Sequence, residues 1–271
     1  MSRVLTAAIL LPVLWLTLKR GPPWAFDAMA LLVMILAVWE CYLLLEARGS
    51  RPLKLLGVAV SVAVTLSFAA EDPGLLPCLP LMLGTILTTA GAMGTRPDPV
   101  SMLDAAMSTL FPVLFVGLAF GYAVGLRAMP GEDGTDLPLL LLVCVMFADT
   151  AAFYFGRSFG RRRLAPLLSP KKSWEGALAG IAGSTLGGLL AHFWFQQRLP
   201  LAHAVVLGVL LGVAGILGDL AESMLKRAAG MKDSSRLLPG HGGFLDRADS
   251  LLFAAPLLYY YSVVFLGAGA S

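Results

Sequence analysis

The chain is a succession of apolar runs of roughly bilayer length, each closed by a short polar break. That pattern restricts the architecture more than any single residue does. Inside a bilayer no water meets the backbone, so every amide and carbonyl must pair within its own helix or in a closed barrel. A helix needs about 20 mostly apolar residues to cross. Nine candidate runs are legible, at 4–18, 25–46, 53–70, 75–94, 104–126, 137–156, 177–195, 201–225 and 251–267. The breaks are chemically plain: "KRGPPW" after the first, "EARGSRPLK" after the second, then "EDPG", "TRPDPV" and "PGEDGTD". The expected fold is all-α, a polytopic integral membrane helical bundle of about nine transmembrane helices, in a single domain over residues 1–271.

Composition agrees. The chain is 58% hydrophobic and 14% charged, with a mean hydropathy of +0.80; a soluble domain carries about 25% charged residues. No polar stretch is long enough for an independent soluble domain. Cys41, Cys78 and Cys144 all fall inside apolar runs without metal-ligand spacing, so neither disulfides nor a thiolate site is expected. No small-x-small cleavage site follows the first run, where "TLKRGPPW" stands, so it reads as a retained span.

Orientation follows from the basic residues, which favour cytoplasmic loops. With the N-terminus inside, the loops after runs two, four, six and eight are also inside. Sixteen of the twenty Lys/Arg then lie on the cytoplasmic side: Arg3, Arg48, Arg51, Lys54, Arg96, six between 157 and 172, and five between 226 and 247. Lys19, Arg20, Arg127 and Arg198 lie outside, and only the first two run against the rule. Two cytoplasmic segments concentrate the polar chemistry, "GRSFGRRRLAPLLSPKKSWEG" (156–176) and "SMLKRAAGMKDSSRLLPGHGGFLDRADS" (223–250).

Ionisable groups in spans are costly, by about 2.5–3.5 kcal/mol each on insertion scales, and point to function unless they are paired. Glu40, Asp104, Asp149, Asp219 and Glu222 stand in or near the ends of runs. For Glu40 and Asp104 a buried hydrogen-bonded role weighs as much as a functional one. Asp219, Glu222, Ser223 and Lys226 stand at i, i+3, i+4 and i+7, on one helix face that leads into the basic loop. Beyond the loop, Asp246 and Asp249 are again three apart. Asp219, Asp246 and Asp249, set among Lys and Arg, suit a divalent cation together with a polyphosphate, and hard oxygen donors suit Mg²⁺. A basic cluster alone would do no more than bind anionic lipid, but carboxylates on its membrane side are superfluous for that task. Gly240, Gly242 and Gly243 permit positive φ and close backbone approach, as a phosphate cradle requires. The loop lacks the Lys-Ser/Thr ending of a P-loop. His241 is a candidate acid, base or phosphate donor; His192 and His203 have no assigned role. Lys171 and Lys172 suit phosphate as point charges, and Ser173 is placed to cap a helix starting at Trp174.

These residues resemble the signature of the phosphatidate cytidylyltransferases (CDP-diacylglycerol synthases). The match runs Ser223-x-x-Lys226-Arg227, four residues, Lys232-Asp233, then Pro239-Gly-His241-Gly242-Gly243-x-x-Asp246-Arg247-x-Asp249. It extends upstream through Asp149, Gly156-Arg157 and Ser-Pro-Lys-Lys-x-Trp-Glu-Gly at 169–176. Ser173 stands where the family usually has Thr, and Ala151-Ala152-Phe153 where it usually has Gly-Ala-Tyr, with Tyr154 one position later. Residues 1–140 are similar to the family only in being apolar spans. The resemblance implies that CTP and phosphatidate yield CDP-diacylglycerol and pyrophosphate at the cytoplasmic face of the inner membrane. It also implies Mg²⁺, with room for a second cation, and a homodimer.

On that reading residues 1–136 are N-terminal helices, and 137–271 hold the catalytic helices and loops. Asp219 and Asp246 are the first metal ligands, and Asp249 is a third ligand or a structural residue. Lys226, Lys232 and His241 join them as catalytic residues, His241 as a phosphate contact. Arg227, Arg247, Lys171, Lys172, Ser173, Ser223, Gly242, Gly243 and Asp149 are substrate-binding. Membrane lipids are partners and no nucleic acid is expected. The rival readings are a CTP-dependent polyprenol kinase, disfavoured by the long match at 223–249, and a secondary transporter of an anionic solute. The latter calls for broken helices at the midplane and inverted repeats, and neither is visible in the sequence.

Overall fold

The computed structural model describes residues 15–70, 74–235 and 242–267. The chain divides into two compact units, Met1–Ala128 with Leu225–Ala248, and Met129–Met224 with Asp249–Ser271.

In the first unit, helix α1 (Pro23–Ala47) follows a helical stretch at 15–20. Pro23 stands in its first turn, where the missing N–H would have had no intrahelical partner. Helices α2 (Lys54–Leu66), α3 (Cys78–Thr95) and α4 (Pro99–Pro112) follow. Asp98 caps α4 by accepting from the N–H groups of Val100 (3.1 Å) and Ser101 (3.0 Å). Pro112 has no N–H to give and its ring crowds the carbonyl four residues back. The chain answers with a π-helical turn, Val113–Gly117, before resuming as α5 (Leu118–Ala128). Close approach and hydrogen bonds join these helices, because lipid supplies no hydrophobic drive for helix association. The Tyr42 hydroxyl donates to the Thr109 carbonyl (2.7 Å) and the Thr65 hydroxyl to the Gly117 carbonyl (2.9 Å). A Cβ on Gly57 would lie 1.7 Å from the Tyr42 hydroxyl oxygen, so only glycine fits there.

The second unit begins with α6 (Asp133–Phe159). An antiparallel ribbon follows, β1 (Arg163–Ala165) against β2 (Ser169–Ser173), with Arg163 opposite Ser173 and Ala165 opposite Ser169. Helices α7 (Trp174–Trp194) and α8 (Leu201–Ala228) complete the long elements; the last turn of α8 belongs to the first unit. After the short α9 (Leu245–Ala248, first unit), α10 (Leu251–Tyr261) runs on as a π-helical turn, Ser262–Leu266.

Helices α6, α7 and α8 meet backbone to backbone. A Cβ on Gly183 of α7 would stand 2.6 Å from both Ala151 Cβ and the Phe147 carbonyl oxygen of α6, and one on Gly208 of α8 would stand 2.4 Å from Thr185 Cα of α7. The two histidines without a role are explained locally: His192 Nδ1 lies 2.7 Å from the Leu199 carbonyl oxygen, and His203 Nδ1 lies 2.7 Å from the Tyr261 hydroxyl.

Six helical segments among the described residues are long and apolar enough to cross a membrane: Trp24–Ala47, Cys78–Thr95, Pro99–Ala128, Asp133–Phe159, Trp174–Trp194 and Leu201–Ala228. The runs expected at 53–70 and 251–267 give shorter apolar helices, Lys54–Leu66 and Leu251–Leu266. Thirteen helical residues rise only about 20 Å. Most of the run at 4–18 lies outside the described residues. The expectation of an all-α chain needs one correction, the ribbon inside the basic loop. Residues 156–176 read as a polar loop, but Ser173 and Glu175 pin its far end, as described below.

The glycine contacts predict a specific sensitivity. Gly183→Val should lower the thermal midpoint in detergent by several degrees, since overpacking costs about 1–3 kcal/mol. Gly94→Ala, on an exposed stretch of α3 with nothing within 4 Å of the added atom, should leave it unchanged.

Candidate active site

The polar residues gather in two groups, one in each unit. In the second unit, Asp219 and Glu222 stand one turn apart on α8, and Asp249 sits in the turn before α10. One carboxylate oxygen from each lies within 4.8 Å of the others. Gly218 makes this possible, because the Asp249 carbonyl oxygen packs where a Cβ would be, at 2.3 Å. Glu222 is fully buried. Lys172, delivered by β2, forms an ion pair with Asp219. The Ser223 hydroxyl lies 3.5 Å from Asp219 Oδ1. The Ser250 hydroxyl lies 3.3 Å from Asp249 Oδ1 and 3.4 Å from Asp149 Oδ1, so Asp149 of α6 borders the same group.

Burial, followed by the Asp219 and Asp149 carboxylates, pushes the Asp249 carboxyl up to about 7; the Ser250 N–H and Lys172 oppose that shift. Three hard oxygen donors, crowded enough that one resists ionisation, form a donor set suited to a divalent cation of the Mg²⁺, Ca²⁺ or Mn²⁺ type. Glu222 belongs to this set in addition to the ligands expected from the sequence. Its i+3 spacing from Asp219 was the available signal.

The ribbon has its own local logic. Ser173 accepts from the Gly176 N–H (3.2 Å) and caps α7. Glu175 turns back and accepts from the N–H groups of Arg161 (3.0 Å) and Arg162 (3.3 Å), closing the ribbon's entrance. Lys171, next to Lys172 on β2, is exposed.

The group in the first unit centres on Asp246. Lys226, from the last turn of α8, places Nζ 2.5 Å from Asp246 Oδ1. Asp246 Oδ2 accepts from the Ser234 N–H (2.9 Å) and the Gly243 N–H (2.8 Å), and the Ser234 hydroxyl oxygen lies 2.7 Å away. Gly242 has the positive φ the sequence suggested (+76°), and a Cβ on Gly243 would collide with Ser234 Oγ at 2.1 Å and Glu40 Oε2 at 2.2 Å. The glycines therefore serve close approach, as expected, yet the amides they free meet carboxylates of the chain itself. Arg227 donates to the Met231 carbonyl (2.9 Å) and is exposed, as are Lys232 and Arg247. His241 lies outside the described residues. Of the expected ligands, Asp219 and Asp249 come together, while Asp246 belongs to the first unit as the partner of Lys226.

Two paired carboxylates complete the first unit. Asp104 lies 3.0 Å from the Ser50 hydroxyl and 3.4 Å from Arg48 Nη2. Glu40, fully buried on α1, accepts from the Ser235 hydroxyl (2.6 Å) and the Phe244 N–H (3.1 Å) at Oε1, and from the Ser234 hydroxyl (2.9 Å) and the Leu245 N–H (2.9 Å) at Oε2. Both carboxylates are hydrogen-bonded, Glu40 in full burial and Asp104 partly exposed.

A family model described as the cytidylyltransferase family matches residues 1–265. The chain belongs to that family. It is 34% identical to the phosphatidate cytidylyltransferase of Synechocystis sp., over 98% of this chain and 97% of that protein. It is 40% identical to the phosphatidate cytidylyltransferase of Staphylococcus haemolyticus, over 58% of this chain and 59% of that protein. The same enzyme from Haemophilus influenzae is 40% identical over 60% of this chain and 58% of its own length.

The raised Asp249 carboxyl sets a pH dependence. Below about 7 the carboxyl keeps a proton that an entering cation must displace; above it, the ligand is already ionised. Affinity for Mn²⁺, read by spin-probe titration of the metal-free protein, should rise about tenfold per pH unit up to about 7 and then level. Asp249→Asn should weaken binding and flatten the profile. For the metal-free protein the sign is opposite. The folded state holds a proton that the unfolded chain releases near the ordinary carboxylate range, so this group's contribution to stability declines as pH rises from there to about 7.

Proposed function

We propose that this chain is a phosphatidate cytidylyltransferase, joining CTP to phosphatidate to give CDP-diacylglycerol and pyrophosphate. Family membership supports the reaction. The observation that carries it into the geometry is the trio Asp219, Glu222 and Asp249, with Lys172 paired to Asp219.

In the proposed reaction an ionised phosphate oxygen of phosphatidate attacks the α-phosphorus of CTP. The bond from that phosphorus to the β-bridging oxygen breaks, and its electron pair leaves with pyrophosphate. The nucleophile is already ionised, so no strong general base is needed. Two polyanions must be brought together, and the protein's task is positioning and charge neutralisation. Asp219, Glu222 and Asp249 would hold Mg²⁺, which would supply positive charge to the phosphate oxygens. Lys171, Lys172, Lys226, Arg227, Lys232 and Arg247 would bind the phosphates. Lys172 and Lys226 carry carboxylate partners, Asp219 and Asp246, that hold their charges in place before substrate arrives. Asp246 remains a candidate ligand and doubles as the counter-ion of Lys226.

We further infer a single integral domain of about nine spans in the inner membrane, its basic loops facing the cytoplasm, and a homodimer. The lipid phosphate lies at head-group level and CTP arrives from the cytosol, so the site has to lie where the two meet. The sixteen-to-four distribution of basic residues supports that orientation.

Purified protein with labelled CTP, phosphatidate and Mg²⁺ should form CDP-diacylglycerol; absence of product from the folded chain would overturn the assignment. Asp219→Asn and Glu222→Gln should each lower kcat by about 10²–10³ at limiting Mg²⁺. Normal turnover in either would remove that residue from the ligand set. Lys171→Gln with Lys172→Gln should impair turnover in detergent as well as in membranes, whereas a lipid-anchoring role would spare the detergent activity. Leu167, 90% exposed between the strands of the ribbon, reads the orientation. Leu167→Cys in a chain whose native cysteines are replaced by Ser should react with impermeant maleimide only once the cytoplasmic side is opened.

A further inference from the structure

Glu40 has no place in the chemistry above, yet four donors among the described residues converge on it. A fully buried carboxylate on an apolar helix is costly unless the surroundings supply such donors. These come from two stretches on either side of residues 236–241: the Ser234 and Ser235 hydroxyls before, and the Phe244 and Leu245 amides after. One helix position thus ties together both flanks of the glycine-bearing segment. The tie reaches Asp246 through a shared atom. Ser234 Oγ lies 2.9 Å from Glu40 Oε2 and 2.7 Å from Asp246 Oδ2, so a single hydroxyl sits between the two carboxylates. Gly243 fits against that arrangement because it has no side chain; a Cβ there would strike both Ser234 and Glu40.

We propose that Glu40 is a positioning residue for cytidylyl transfer: it fixes the turn carrying Gly243–Asp246, and through that turn the Asp246 carboxylate and its Lys226 partner. The proposal rests on the function proposed above for its kinetic arm alone. Glu40 touches neither substrate nor reacting atoms; it acts by holding the groups that do.

The isosteric change Glu40→Gln tests it with little change of volume. The amide oxygen serves one pair of donors, but its NH₂ faces the other pair, and each pair contains a backbone N–H that cannot accept. One flank of the turn must let go. Peptides covering residues 242–248 should then exchange amide hydrogen at least about tenfold faster, while those from α6 and α7 exchange as in the wild type. Turnover should fall about 10–10²-fold in kcat, with KM for CTP within about threefold, as expected when positioning in the transition state is lost. Wild-type kcat in the folded variant would overturn the positioning role, and so would acceleration spread equally over all helices, which marks a general structural role. If Glu40→Gln does not accumulate as folded protein, Ser234→Ala removes the shared hydroxyl and leaves Glu40 in place. It should show the same local exchange and a smaller fall in kcat, and wild-type behaviour on both measures would overturn the proposal. If wild-type protein itself forms no CDP-diacylglycerol, the assigned reaction fails, while the exchange measurement still decides whether Glu40 holds the turn.

Discussion

Charge at the end of an apolar helix has to be met by donors or counter-charge, because low-dielectric surroundings punish an isolated ion. The polar half of this protein is organised around that demand. Glu40 collects two hydroxyls and two amides. Asp246 collects an ammonium and two amides, and shares the Ser234 hydroxyl with Glu40. Asp219 takes Lys172. Asp249, least well served, keeps its proton to about pH 7. The gradient is informative: carboxylates rich in donors shape the backbone, and the crowded one is the natural place for an external cation.

Glycine is the second device. In a soluble core, side-chain layers separate helices; here α7 touches α6 and α8 at glycines that let backbones meet. The same economy brings the Asp249 carbonyl against Gly218, one residue before Asp219, so that the acidic trio is assembled by main-chain contact rather than by long side chains. Short acidic side chains on closely held backbones have few rotamers to lose, which favours a defined ligand geometry.

The ion pairs Lys172–Asp219 and Lys226–Asp246 put cations proposed for phosphate beside carboxylates. Pairing of this kind orients the lysine ammonium against a fixed counter-charge. Breaking a buried pair from one side leaves an uncompensated charge at a cost of about 3–5 kcal/mol. Of the two pairs, Lys226–Asp246 is the more buried, its side chains 11% and 9% exposed, so that cost falls more heavily there.

Much was legible from the chain alone, because membrane helices and helix faces are local properties. Hydropathy marked the long helices, and spacing put Asp219, Glu222 and Lys226 on one face. The serine before Trp174 announced a cap, and the long motif from Ser223 to Asp249 identified the family. What the chain alone left open depended on contacts between distant residues. The ribbon at 163–173 closes through Glu175, whose acceptor oxygens meet amides 13 and 14 residues earlier. Glu40 meets a loop about two hundred positions away, a set of partners that no local pattern announces. Glu222 joins Asp249 while Asp246 turns to Lys226, although Asp246 and Asp249 share a three-residue spacing, because the backbone between them passes from one packed unit to the other. Periodicity specifies which side chains one helix presents together; only the packing of separate elements decides which of those side chains gather into one cluster and which are used to hold the chain.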